Sequence, residues 1–126
     1  MKTNIEIIGI LNKKIVKKFH LEHTNGFVYI GPENIEHMRI RHPEDYEIFY
    51  EKLSNIISEP DYVAENLRDG SLELVKIFQT DTKEFIKVAV RISSKNTLFA
   101  RTLYKLNSKK TEWDIEKGYF KKLEEL

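Results

Sequence analysis

His37 and His42 stand five residues apart in the stretch Glu36-His37-Met38-Arg39-Ile40-Arg41-His42-Pro43. Histidine titrates near neutral pH and can act as acid or base. Arginine carries a planar fork of donors that matches a phosphate. This combination suits cleavage of an RNA phosphodiester. A base takes the 2′-hydroxyl proton, an acid protonates the leaving 5′ oxygen, and cations hold the charge of the phosphorane. A zinc pair fits less well. On one continuous helix, residues five apart diverge by about 140°, unlike the i, i+4 histidines of a helical metal motif. Pro43 also breaks the helix before it. His42 can then open the next helix, where free N–H groups favour an anion, with Glu44 and Asp45 competing for that place. His20 and His23 are the remaining histidines, and neither supplies a third ligand at convincing spacing. No metal and no cofactor is expected.

Other elements must bring further groups to this corner. Phe85–Ser93 alternates as a strand, with Ile86, Val88, Val90 and Ile92 on one side and Phe85, Lys87, Ala89 and Arg91 on the other. Leu72–Phe78 and Leu98–Leu106 read as its neighbours, joined by loops short enough for hairpins. A four-residue loop Ser93–Asn96 pairs Ile92 with Thr97, Arg91 with Leu98 and Lys87 with Thr102. Pairing Phe78 with Phe85 sets Lys76 beside Lys87. One face then carries Lys76, Lys87, Arg91, Thr102 and Tyr104. The other carries Val75, Ile77, Ile86, Val88, Val90, Ile92, Phe99 and Leu103. A one-residue slip in either hairpin exchanges a strand's two sets. The cationic face reads either as a solvated sheet surface or as a phosphate site.

Helices account for the buried face. Gly31-Pro32 opens one that ends near Arg41 or His42, with proline tolerated at the first position. Pro43 starts another, where Tyr46, Phe49, Tyr50, Leu53, Ile56 and Ile57 keep a helical period to about 57. Residues 4–11 and 27–30 read as strands. Ile15, Val16 and Phe19 read as a half-exposed strand after a turn at Asn12-Lys13-Lys14. Tyr62–Ala64 reads as a short extended piece. Thr111 reads as the cap of a terminal helix over about 112–124.

The bulk properties bound the rest. The chain has 126 residues, 21 Lys+Arg against 20 Asp+Glu, a net charge of +1 and no cysteine. That is one domain, residues 1–126, with no disulfide framework and no thiol nucleophile. It lacks the charge of a broadly basic nucleic-acid binder, though not room for a local groove. The longest apolar run, Ile7–Leu11, cannot span a membrane, and the start lacks a signal-peptide pattern. A cytosolic protein with no membrane partner is expected.

The order of these features resembles the barnase–EndoU–colicin E5/D–RelE-like nuclease superfamily, in its phage type. Residues 36–43 are similar to its "HI..RHP" motif, with Met38 where an isoleucine is usual. Ile56-Ile57-Ser58-Glu59-Pro60-Asp61-Tyr62-Val63 is similar to "I..NPD.V". Lys76, the Phe85–Ile92 strand and Ala100-Arg101-Thr102-Leu103-Tyr104 follow in order, so the resemblance covers about 27–106. It implies a small α+β domain with N-terminal helices on a curved antiparallel sheet of about four or five strands. It implies a metal-independent endoribonuclease, a toxin or phage or mobile-element effector, leaving a 2′,3′-cyclic phosphate. His37 and His42 would be the acid/base pair. Lys76 and Arg91 would bind phosphate, and Thr102 and Tyr104 would position it. Arg41 and Lys87 would help hold the RNA. The near-neutral charge points to a narrow substrate such as one tRNA site. A cognate antitoxin or immunity protein is an expected partner of such a toxin. The competing reading is a non-catalytic module of a mobile element that binds nucleic acid or protein through the same face.

Overall fold

A short strand, Phe27–Ile30, runs through Gly31 straight into a helix, and this junction sets the layout of the sheet. The computed structural model describes residues 4–126; Met1, Lys2 and Thr3, part of the stretch tested for a signal peptide, lie outside them. The order is β1 (Glu6–Ile10), α1 (Lys13–Lys18), β2 (Phe27–Ile30), α2 (Pro32–Arg41), α3 (Pro43–Phe49), a 3-10 turn (Tyr50–Lys52), and α4 (Leu53–Ser58). There follow β3 (Tyr62–Glu65), β4 (Leu72–Gln79), β5 (Lys83–Ile92), β6 (Leu98–Lys105), α5 (Ser108–Glu116), β7 (Lys121–Lys122) and a 3-10 turn (Leu123–Glu125).

The fold is α+β, but the sheet departs from expectation. It has seven strands in the order β1-β2-β6-β5-β4-β3-β7, and two strands precede the long helices. It is also mixed, because β2 runs parallel to β6 through Val28–Leu98 and Tyr29–Phe99. The additional strands are short edge pieces, which carry little periodic signal.

The helical stripe over 43–57 packs as its period requires, although a 3-10 turn divides it into α3 and α4. Phe49, Leu53, Ile56 and Ile57 are buried, and they close over Leu74, Ile86, Val88 and Leu103 of the sheet. Fully burying such side chains contributes about 1.5–3 kcal/mol each. Gly9 lets α4 sit close to β1, since a Cβ there would lie 3.3 Å from Ile57.

Two helices differ from the sequence reading. Residues 13–18 form α1 rather than a strand. Asn12 caps it by accepting from the Lys14 amide at 2.9 Å, and Ile15, Val16 and Phe19 are as compatible with a helical stripe as with a strand. The last helix starts one turn early, capped by Asn107 rather than Thr111; the Thr111 hydroxyl instead donates to the Asn107 carbonyl at 2.7 Å. It ends at Gly118, whose φ of +85° a side chain would resist. Residues 121–122 are therefore strand.

The register corrects the expected faces. Phe78 pairs with Glu84 and Lys76 with Ile86, one residue away from the predicted pairing. Lys76 thus lies on the helix side of the sheet, and Val75 and Ile77 on the other. Both faces of β4 are buried: Leu72 and Leu74 enter the main core, and Val75 joins Phe85, Ala64 and Phe120 in a second one under α5. A strand apolar on both sides does not fix its own register. On β6, the five-residue loop 93–97 pairs Ile92 with Leu98 and Arg91 with Phe99; Asn96 takes a positive φ of 60° in that loop. A bulge then makes Arg101 the extra residue, so Ala89 meets Thr102 and Lys87 meets Tyr104. Past the bulge the total shift is two residues. That preserves which face each side chain takes, and Lys87, Thr102 and Tyr104 still share one.

Candidate active site

The corner between α2 and α3 is a single residue, His42. Its N–H closes α2 on the Met38 carbonyl at 3.0 Å, and its carbonyl accepts from Tyr46 to begin α3 at 2.9 Å. Pro43 forces the break, because it disfavours helical backbone at the residue before it. Met38 is fully buried and anchors α2 against the core. α2 and α3 both pack along β6, beside the part of that strand that β2 does not reach. Asp45 in the first turn of α3 accepts the Lys105 amide at 3.0 Å and so ties the corner to the end of β6.

This tie carries His42 over the face of the sheet away from the main core. Its imidazole stacks on the Tyr104 ring, with centroids 4.4 Å apart and planes at 19°. The Lys87 ammonium lies 4.7 Å from the centroid of the same ring. Lys87 also pairs with the buried Glu73 at 3.2 Å, and Glu73 accepts from the Tyr119 hydroxyl at 2.9 Å. An imidazole, a phenol, an ammonium, a carboxylate and a second phenol are therefore linked in one chain of contacts.

The electrostatics follow from those contacts. Burial pulls the Lys87 pKa down, but the Tyr104 hydroxyl and the Glu73 carboxylate outweigh it and raise the value above that of an ordinary lysine. Lys87 therefore keeps its charge at neutral pH. Burial and the hydrogen bond to Glu73 push the Tyr119 phenol up to about 12. Nearer the β5–β6 turn, the Ser71 amide and hydroxyl hold Asp69 below the usual carboxylate range, with smaller contributions from Arg91 and Arg101. Both guanidiniums are therefore within electrostatic reach of Asp69.

The structure thus gathers His42, Lys87, Thr102 and Tyr104, with Arg91 further along β5. Lys76 is not among them. Its ammonium donates to the Glu59 carbonyl at 2.7 Å at the end of α4. His37 and Arg41 are exposed on α2 and have no hydrogen bond, ion pair or ring contact with the group among the described residues. At about 100° per residue they share the flank of α2 opposite Ile35 and Arg39, which line the groove toward α3. Among the described residues, no three His, Asp or Glu side chains form a group that could hold a metal ion.

Glu73, Arg101 and Tyr119 were not singled out from the sequence. Glu73 was legible as an acid inside the apolar run Leu72–Val75, and Arg101 as a second cation before Thr102. Tyr119 reaches the site only because the last helix stops at Gly118. The second motif is structural: Ile56, Ile57 and Pro60 are buried, and Asp61 accepts the Ile77 amide at 2.7 Å, aligning β3 with β4.

A family model for phage-Barnase-EndoU-ColicinE5/D-RelE like nuclease 3 matches residues 5–113. The chain belongs to this nuclease family. The match runs from the first strand to α5 and takes in every group of the site except Tyr119. No match was found among curated proteins or among solved structures. No helix is long and apolar enough to cross a membrane among the described residues.

Proposed function

We propose that this nuclease is a metal-independent endoribonuclease that cleaves RNA by transphosphorylation to a 2′,3′-cyclic phosphate. The observation that carries the reading is the His42 imidazole stacked on Tyr104 beside the Lys87 ammonium. An imidazole able to take or give a proton and a fixed cation then share one surface. His42 moves a proton at the scissile phosphate, and Lys87 stabilises charge that develops there. Tyr104 and Thr102 orient the phosphate. Arg91 and Arg41 hold flanking phosphates. His37, on the free flank of α2, is the partner acid or base once RNA lies along that helix. Such an enzyme acts as a toxin or phage effector, with tRNA a candidate target and a cognate antitoxin or immunity protein its natural inhibitor.

The test is cleavage of an RNA panel that includes tRNA. We expect cutting that survives EDTA, produces cyclic phosphate ends, and falls by at least about 100-fold in His42→Ala with an unchanged fold, the usual scale of general acid–base catalysis. Full activity in His42→Ala would remove the assignment. Salt-dependent binding with no turnover would favour the binding module instead.

A further inference from the structure

The face that carries His42 and Tyr104 continues along β6 to its other end, where its chemistry changes. A single row of cross-strand partners runs there from Ile7 to Tyr29 to Phe99 to Arg91, on four adjacent strands. Tyr29 and Phe99 are half-buried, with ring centroids 6.3 Å apart and planes at 49°. They wall a cleft of about 750 Å³. Its other walls are two turns, residues 23–25 and 93–97, which bring Asn25, Ser93, Lys95, Asn96 and Thr97 to its edge. Asn25 donates to the Tyr29 hydroxyl at 3.1 Å, which fixes that ring as a wall. Aromatic planes in an opening edged by amides and hydroxyls suit a flat heterocycle with polar edges. They suit neither an acyl chain nor a bare anion.

We infer that the Tyr29–Phe99 cleft takes an unpaired nucleobase of the RNA, and that the substrate is single-stranded where it crosses the sheet. The inference rests on the endoribonuclease reading for its substrate and adds where specificity is set. Phe99 and Tyr104 are five residues apart on β6, but the bulge at Arg101 sets them opposite β5 residues only four apart, about 13 Å of strand. Arg91 stands directly across from Phe99 on β5, and Arg101 lies two residues beyond Phe99 on β6, both close enough to Asp69 to lower its pKa. Aromatic walls with Arg91 beside them, then Arg101, then Thr102 and the His42–Tyr104 pair give a track for base, backbone and scissile phosphate in that order. Asp69 lies beside the track, but its carboxylate is engaged by the Ser71 amide at 2.9 Å and hydroxyl at 2.7 Å. A duplex could not follow this course, because its bases are already stacked on one another and turned away from a flat surface.

The experiment measures binding in the His42→Ala protein, so that it does not depend on turnover. Fluorescently labelled RNA hexamers are compared by anisotropy with an abasic ribose-phosphate hexamer and with a duplex of the same sequence. We expect the abasic strand and the duplex to bind at least about 10-fold more weakly, and Phe99→Leu to lose about 5- to 150-fold for the base-bearing strand only. Thermal melting confirms that Phe99→Leu folds, and Tyr29→Leu provides a second variant. Equal affinity for base-bearing and abasic strands, or for duplex and single strand, overturns the inference. Base-dependent binding alongside a wild-type protein that cuts no RNA would leave the cleft standing and remove the enzyme assignment.

Discussion

Glu73 holds two partners at once, the Lys87 ammonium at 3.2 Å and the Tyr119 hydroxyl at 2.9 Å. Removing its charge acts on both. In Glu73→Gln the half-buried ammonium loses its counterion, and we expect a loss of about 2 kcal/mol in urea melts, short of the cost of a fully buried pair. The Tyr119 phenol should also change. Its pKa is pushed up to about 12, so ultraviolet titration should show a tyrosine ionising there that moves down in the variant. The sign for stability follows. A phenol whose value is raised on folding contributes stability that is complete below its unfolded value near 10. That contribution is lost as pH climbs through about 12, and the raised lysine acts in the same direction. A tyrosine that titrates normally in the wild type would sink this account of the site. At this scale the sequence was partly legible. His42, Lys87, Thr102 and Tyr104 could be named from residue type and alternation. Glu73 stood out only as an acid inside an apolar run; its pairing with Lys87 depends on a β4 register that packing on both sides sets.

At the scale of elements, the unit that would carry the proposed chemistry is the break between α2 and α3 together with the end of β6. The break could be read directly, since Pro43 excludes helix at His42. What holds the break in place could not. The Asp45–Lys105 hydrogen bond joins residues 60 apart in the chain, and a side chain accepting a strand amide leaves no periodic trace. The β6 bulge was equally hidden, although its even shift kept Thr102 and Tyr104 on the expected face. β4 had no such protection: one residue of slip sent Lys76 to the far side. In the proposed enzyme Asp45 would therefore be a positioning residue. Asp45→Ala should cost about 1 kcal/mol, the usual net value of one hydrogen bond. It should lower kcat well beyond any change in KM, because the imidazole would no longer be held over Tyr104. Asp45→Asn, which keeps an acceptor oxygen, should recover most of the rate. If kcat were unaffected by either change, the corner would not be what positions His42.

For the whole molecule, the question is how a protein of net charge +1 would engage the polyanion that the proposed activity requires. Composition alone counted against nucleic acid, because it averages over surfaces that the fold separates. The chain's acids are not excluded from the working face, but those on it are already engaged: Glu73 by Lys87 and Tyr119, Asp69 by Ser71, and Asp45 by the β6 backbone. Among the described residues Arg41, Arg91 and Arg101 form no ion pair with a carboxylate, leaving three guanidiniums for phosphates. Binding to single-stranded RNA loses about 0.7 log units of affinity per log unit of salt for each phosphate neutralised. Three contacts give a slope of about −2, so a fourfold rise in salt should weaken binding about 20-fold. Titrating the His42→Ala protein with a single-stranded hexamer between low and moderate salt measures this slope. Arg91→Gln should flatten it by somewhat less than one unit, and Lys95→Gln, out on the 93–97 turn, should change it less. A slope near zero would mean that the face does not hold the backbone. A slope steep enough to need many more phosphates would mean that the RNA runs over other surfaces, and that the track along β6 is not its path.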